Sequence, residues 1–168
     1  MCQCEGCSCS QPVSPIDQLV EAAVKIEKAG RSFYSNLAIK EYNEKIKDVL
    51  ISLARDEENH VEAFARLGEA LKNDEEFAAR CGTADYSEYL DAIIKAHVFY
   101  RPLTDDDDYV ITSARDTLEM ALRFERDSII FFQELRSAMG KEGRELLDML
   151  IDQEKMHIRK ISHQFDRV

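Results

Sequence analysis

Two Glu-x-x-His steps, Glu57 to His60 and Glu154 to His157, constrain this 168-residue chain most, because each falls in the middle of an apolar helical stripe. Residues three apart on a helix share a face. On that face Leu50 and Leu53 precede Glu57 and Phe64 follows it; Leu147 and Leu150 precede Glu154 and Ile161 follows it at the same offsets. Such a stripe turns toward a core, so each helix carries a carboxylate and an imidazole into apolar surroundings. Burying these groups without partners is strongly unfavourable. The fold must therefore bring compensating groups to them.

The chain around these steps reads as all-helical. It has only 6 Gly and 3 Pro, and no alternating run rich in Val, Ile and Thr. Ser14-Pro15 has the form of an N-cap followed by proline at the first helical position. A first helix is predicted from about Pro15 to Lys40 and a second from near Asn43 to about Lys72, with so short a joint that the two pack antiparallel. Residues 73–112 break the pattern, apart from one short amphipathic stretch from Tyr86 to Tyr100. Thr112 or Ser113 can cap a third long helix ending near Gly140, and a fourth is predicted from about Lys141 to Phe165. Two antiparallel hairpins joined by one long crossover, with a short extra helix in it, make a four-helix bundle.

The hairpins also repeat each other. Ile26-Glu27, Phe33-Tyr34 and Glu57-x-x-His60 in the first correspond to Phe124-Glu125, Phe131-Phe132 and Glu154-x-x-His157 in the second. Glu27 and Glu125 each lie in an apolar stripe at matching depth, so four carboxylates and two imidazoles converge on the bundle centre. Four carboxylates carry four negative charges, which two divalent cations neutralise, whereas one cation leaves a surplus in a low-dielectric core. Mixed oxygen and nitrogen donors favour iron, manganese or zinc over calcium, which prefers oxygen alone.

The charge balance narrows the partners. A formal net charge of -11 argues against nucleic acid and against anionic membrane surfaces. No stretch has the apolar length of a membrane span, and the start MCQCEGCSCS lacks the pattern of a secretory signal, so a cytoplasmic location is expected. Residues 1–12 read as a Cys-rich tail, separate from a bundle over residues 13–168. Its thiols, Cys2, Cys4, Cys7 and Cys9, could hold a soft metal such as zinc or Cu(I), relay redox change, or belong to a tail without structure. Cys81 reads as an inert connector residue. Asp105 to Asp108 could steer cations, or form a solvated segment ahead of the third helix. His97 and His163 lack ligand-like spacing and read as structural or exposed. Arg31, four residues beyond Glu27, either pairs with an acid or reaches solvent.

Over about residues 15–165, Glu27 with Phe33-Tyr34, Glu57-x-x-His60, Glu125 with Phe131-Phe132, and Glu154-x-x-His157 resemble the rubrerythrin group of the ferritin-like superfamily, without a rubredoxin domain. The resemblance implies a bundle holding two iron ions per chain, for which manganese or zinc can substitute. Glu57 and Glu154 would bridge both ions, with Glu27 and His60 completing one position and Glu125 and His157 the other. Asp56 and Gln153 resemble partners that orient the histidines. Tyr34, seven residues beyond Glu27, could sit near the metals and take part in radical or hydrogen-bond chemistry, or be simply a core aromatic. It further implies an oxidoreductase reducing peroxide or oxygen, an external electron-donor protein, and a homodimer. Full rubrerythrins carry a further Glu three residues after the third-helix ligand, where this chain has Ser128. Two other functions fit the same residues: iron storage or delivery linked to ferroxidase chemistry, and a metal- or redox-responsive interaction protein with the Cys tail as sensor.

Overall fold

The computed structural model of the protein describes residues 15–71, 75–81, 83–97 and 113–167. The Cys-rich tail and the acidic run from Asp105 to Asp108 lie outside them. Among the described residues the chain is almost entirely helical, without strands. The elements are α1 (Pro15–Lys40), α2 (Glu44–Leu71), α3 (Glu75–Cys81), α4 (Ala84–Ala96), α5 (Ala114–Ala138) and α6 (Lys141–Ser162), then a 3-10 turn at Phe165–Arg167.

The four long helices start and stop close to where local chemistry places them. The joint between α1 and α2 turns on Asn43, whose side-chain Oδ1 accepts from the Lys45 amide at 3.1 Å while its carbonyl accepts from Lys47 at 2.9 Å. Of the two candidate caps for α5, Ser113 is the one used. Its hydroxyl accepts from the Asp116 amide at 3.1 Å, and Asp116 accepts from the Ser113 amide at 2.8 Å, closing a capping box.

The crossover carries more helix than its sequence suggests. Besides α4, which begins two residues before the expected Tyr86–Tyr100 stretch (residues 98–100 lie outside the described ones), it forms α3, with Phe77 fully buried. Two turns are too few to show a helical period. The burial of Phe77, where α3 packs on α1, α4 and α5, holds the segment in place. The last turn of α4 ends at His97, whose backbone is extended.

The α1–α2 and α5–α6 hairpins form the bundle, with α2 and α6 meeting across its centre. The core is rich in aromatic rings: Phe64 packs on Phe132 at 5.1 Å between centroids, and Tyr34 meets Phe124 edge-on at 5.9 Å. α1 and α5 approach closely at Gly30, where a Cβ would lie 2.4 Å from Phe124 Cζ. Gly30 thus admits the ring that precedes Glu125 in sequence, one helical turn from Glu27.

Candidate metal centre

Each long helix delivers its acid to the same depth. Glu27 on α1, Glu57 on α2, Glu125 on α5 and Glu154 on α6 are fully buried, and His60 and His157 nearly so. The structure brings all six together. One group consists of Glu27, Glu57, His60 and Glu154, the other of Glu57, Glu125, Glu154 and His157, with the donor atoms of each lying within 4.8 Å of one another. Glu57 and Glu154 belong to both groups. Glu27 belongs only to the half containing His60, and Glu125 only to the half containing His157.

The imidazoles stack at 5.6 Å between centroids and present the same edge inward. Nδ1 of His60 lies 3.3 Å from Glu27, 3.3 Å from Glu57 and 3.0 Å from Glu154. Nδ1 of His157 lies 2.8 Å from Glu154, 3.4 Å from Glu125 and 3.6 Å from Glu57. The outward nitrogens are held crosswise. His60 Nε2 donates to Gln153 Oε1 at 2.9 Å, and His157 Nε2 donates to Asp56 Oδ2 at 3.2 Å. The residue before each shared glutamate therefore orients the histidine of the opposite hairpin. Tyr34 donates its hydroxyl to Glu125 Oε1 at 2.5 Å, so this buried aromatic is also a polar partner of the site.

Burial works against charge throughout this cluster. Burial pushes Glu57 well above the usual carboxylate range, and the charges of Glu154, Glu27 and Glu125 add to it. Burial likewise raises Glu125, reinforced by Glu154. Burial acts against charge on Glu154 too, but hydrogen bonds with Glu125, His157 and His60 outweigh it and hold Glu154 low. The histidines move the opposite way from simple burial. Desolvation lowers His157, yet Asp56, Glu125 and Glu154 push it up to about 12, and Glu154, Glu27 and Glu57 carry His60 up as well. Without metal the centre therefore stores protons on imidazoles and carboxyls. Even so, Glu27 Oε1, both oxygens of Glu57 and Glu154 Oε1 are buried without a well-aligned hydrogen-bond donor, Glu154 Oε1 despite lying 3.0 Å from His60 Nδ1. Buried acceptors left this way are rare in folded proteins and call for an ion or other partner. Six nitrogen and oxygen donors grouped around these orphaned oxygens fit a pair of divalent cations.

Several contributors were not evident from sequence. Lys160 Nζ donates to Asp56 Oδ2 at 2.9 Å and to Ser52 Oγ at 3.2 Å, tying α6 to α2 just outside the centre. Lys160 lies three residues after His157, but its partners sit on another helix, which no local spacing reveals. His97 is buried, with Nε2 3.2 Å from Ser128 Oγ and its ring edge-on to Phe124 at 5.5 Å. Of the structural and exposed readings, the structural one describes it. Arg31 pairs with an acid, Glu58, at 2.6 Å, and both side chains stay about half exposed.

A helical bundle in which two helices each supply a Glu and two each supply a Glu-x-x-His step defines the ferritin-like di-iron carboxylate class. Within it the chain belongs to the rubrerythrin family: the family model described as Rubrerythrin matches residues 18–164. No curated protein and no solved structure matches the chain. No helix among the described residues is long and apolar enough to cross a membrane.

Proposed function

We propose that Glu27, Glu57, His60, Glu125, Glu154 and His157 hold two iron ions per chain, and that the protein is an oxidoreductase reducing peroxide or oxygen with electrons from an external donor protein. One observation carries the reading: six buried nitrogen and oxygen donors in two groups that share Glu57 and Glu154, with four of their carboxylate oxygens lacking a well-aligned donor. Membership of the rubrerythrin family supports iron as the metal. When bound, iron would supply the electrons for reducing peroxide or oxygen.

The chain's own residues do the rest. The shared glutamates would hold both positions, and the Nδ1 atoms of His60 and His157 face them from the α2–α6 side. Asp56 and Gln153 fix the ring orientation through Nε2. Peroxide reduction takes two electrons and two protons and yields two waters. Asp56, with a side chain 31% exposed, connects buried His157 to the surface and provides a proton route. The apolar rings of Phe64, Phe124 and Phe132 keep bulk water out of the core.

The test is donor oxidation by the iron-loaded protein under controlled peroxide or oxygen. The reading requires turnover with one of these oxidants, lost when Glu57 and Glu154 are both replaced by Ala. Iron-loaded protein that reduces neither, and instead accumulates ferric mineral in large assemblies, favours storage and overturns it.

A further inference from the structure

The two halves of the site derive from matching hairpins, yet their surroundings do not match. His157 Nε2 donates to a carboxylate, Asp56, whereas His60 Nε2 donates to a neutral amide, Gln153. Tyr34 donates to Glu125 Oε1, but the repeat places Phe132, which has no hydroxyl, where Tyr34 has its counterpart. Glu27 Oε1 correspondingly has no donor. Each difference favours the same half.

We propose that the two metal positions are unequal, and that the one formed by Glu125 and His157 fills first and holds its ion more tightly. The inference rests on the metal-centre reading above and adds an order of occupancy with its determinants, Asp56 and Tyr34. A carboxylate accepting from one imidazole nitrogen draws that proton toward itself and raises electron density at the other nitrogen. In His157 that other nitrogen is Nδ1, 2.8 Å from Glu154 and facing the centre. An amide acceptor does this more weakly, so His60 is the poorer donor. Tyr34 adds orientation: with Oε1 engaged, Glu125 keeps Oε2 turned to the centre, 3.4 Å from His157 Nδ1. Glu27 has no such anchor and loses more freedom on binding an ion.

Two effects oppose this order, and both are smaller. The phenol withdraws some charge from Glu125, but through the oxygen turned away from His157. Lys160 pairs with Asp56 at 2.9 Å and weakens it as an acceptor, yet its side chain is 34% exposed and its charge is screened. The same contact, with the His157 hydrogen bond, holds the Asp56 carboxylate in place. Asp56 and Tyr34 are positioning residues: they act through His157 and Glu125.

Anaerobic Co(II) titration of the metal-free protein, followed by calorimetry and by the visible bands of bound cobalt, tests the order. The wild-type chain should bind two ions in two resolved steps. Asp56→Asn, which keeps the shape, should weaken the first step about 10–100-fold and draw the two together. Gln153→Glu, at an exposed position, should strengthen the second step and also narrow the gap. His60→Ala should keep the tight step, and His157→Ala should lose it. Two ions entering in one unresolved step that Asp56→Asn leaves unchanged overturns the inference, as does a tight step that survives His157→Ala. Failure to bind any Co(II) overturns the metal centre itself, so the two readings fail separately.

Discussion

Gly30→Ala sets two effects of known size against each other at the point where α1 meets α5. Judged as a helix residue, alanine gains about 0.8–1.0 kcal/mol over glycine. Judged by packing, the new Cβ would stand 2.4 Å from Phe124 Cζ and 2.7 Å from Cε1, inside any tolerable contact. The ring has nowhere to go: it is fully buried, with Tyr34 edge-on at 5.9 Å and His97 at 5.5 Å. Forcing a methyl into a filled core costs about 1–3 kcal/mol, and a clash this short belongs near the top of that range. Sterics win, and the net loss should be about 1–2 kcal/mol. The displacement also bears on the site, because Phe124 and Glu125 are neighbours and move together away from α1. Urea unfolding of the metal-free protein reads the first effect, and Co(II) binding reads the second as weakened affinity. A Gly30→Ala protein that is about 1 kcal/mol more stable than wild type, with unchanged metal affinity, would refute the packing argument.

The double change Glu57→Ala and Glu154→Ala should abolish metal binding while leaving helicity intact, and the metal-free bundle should gain stability because buried charge gives way to apolar groups; loss of the helical circular dichroism signal would contradict this. Metal-free protein should lose stability as pH rises from about 6.5 toward 9, since His157, raised from 6.5 to about 12, and the raised Glu57 and Glu125 all favour their protonated forms in the fold. His97, lowered to about 4, acts only below that window, and metal affinity should rise with pH over the same range, so thermal melts with and without metal should trend oppositely. Deleting residues 1–12 should leave the bundle's metal content and oxidant kinetics unchanged, altering only behaviour toward thiol reagents and soft metals; metal loss on truncation, measured by elemental analysis, would join the tail to the centre.

Much of the bundle was legible because its signals are local and periodic. Pro15 opens α1, Ser113 and Asp116 cap α5, and the stripes around Glu57 and Glu154 mark which faces turn inward. The convergence of six buried donors followed from nearly equal offsets within two repeated hairpins, which needs no knowledge of tertiary contacts. What escaped notice depends on contacts between distant segments. α3 is too short to carry a period, and among its described side chains Phe77 is the buried one. Gly30 looks like a weak point in a helix until Phe124 fills the space above it. The crosswise pairing of Asp56 with His157 and Gln153 with His60, and the reach of Lys160 to Asp56, join residues about a hundred positions apart. Tyr34 suggested a role by its distance from Glu27, yet its hydroxyl serves Glu125 on the other hairpin.

Counting metal ions per folded chain tests the central claim most directly. The protein should be prepared without oxygen, lacking residues 1–12 so that the four tail thiols contribute nothing. Elemental analysis should then find close to two ions per chain, predominantly iron, and none after Glu57 and Glu154 are both replaced by Ala. A fully helical chain with metal content near zero after exposure to excess ferrous iron would show that the buried carboxylates and imidazoles are satisfied by protons alone, and the account of the centre would be wrong.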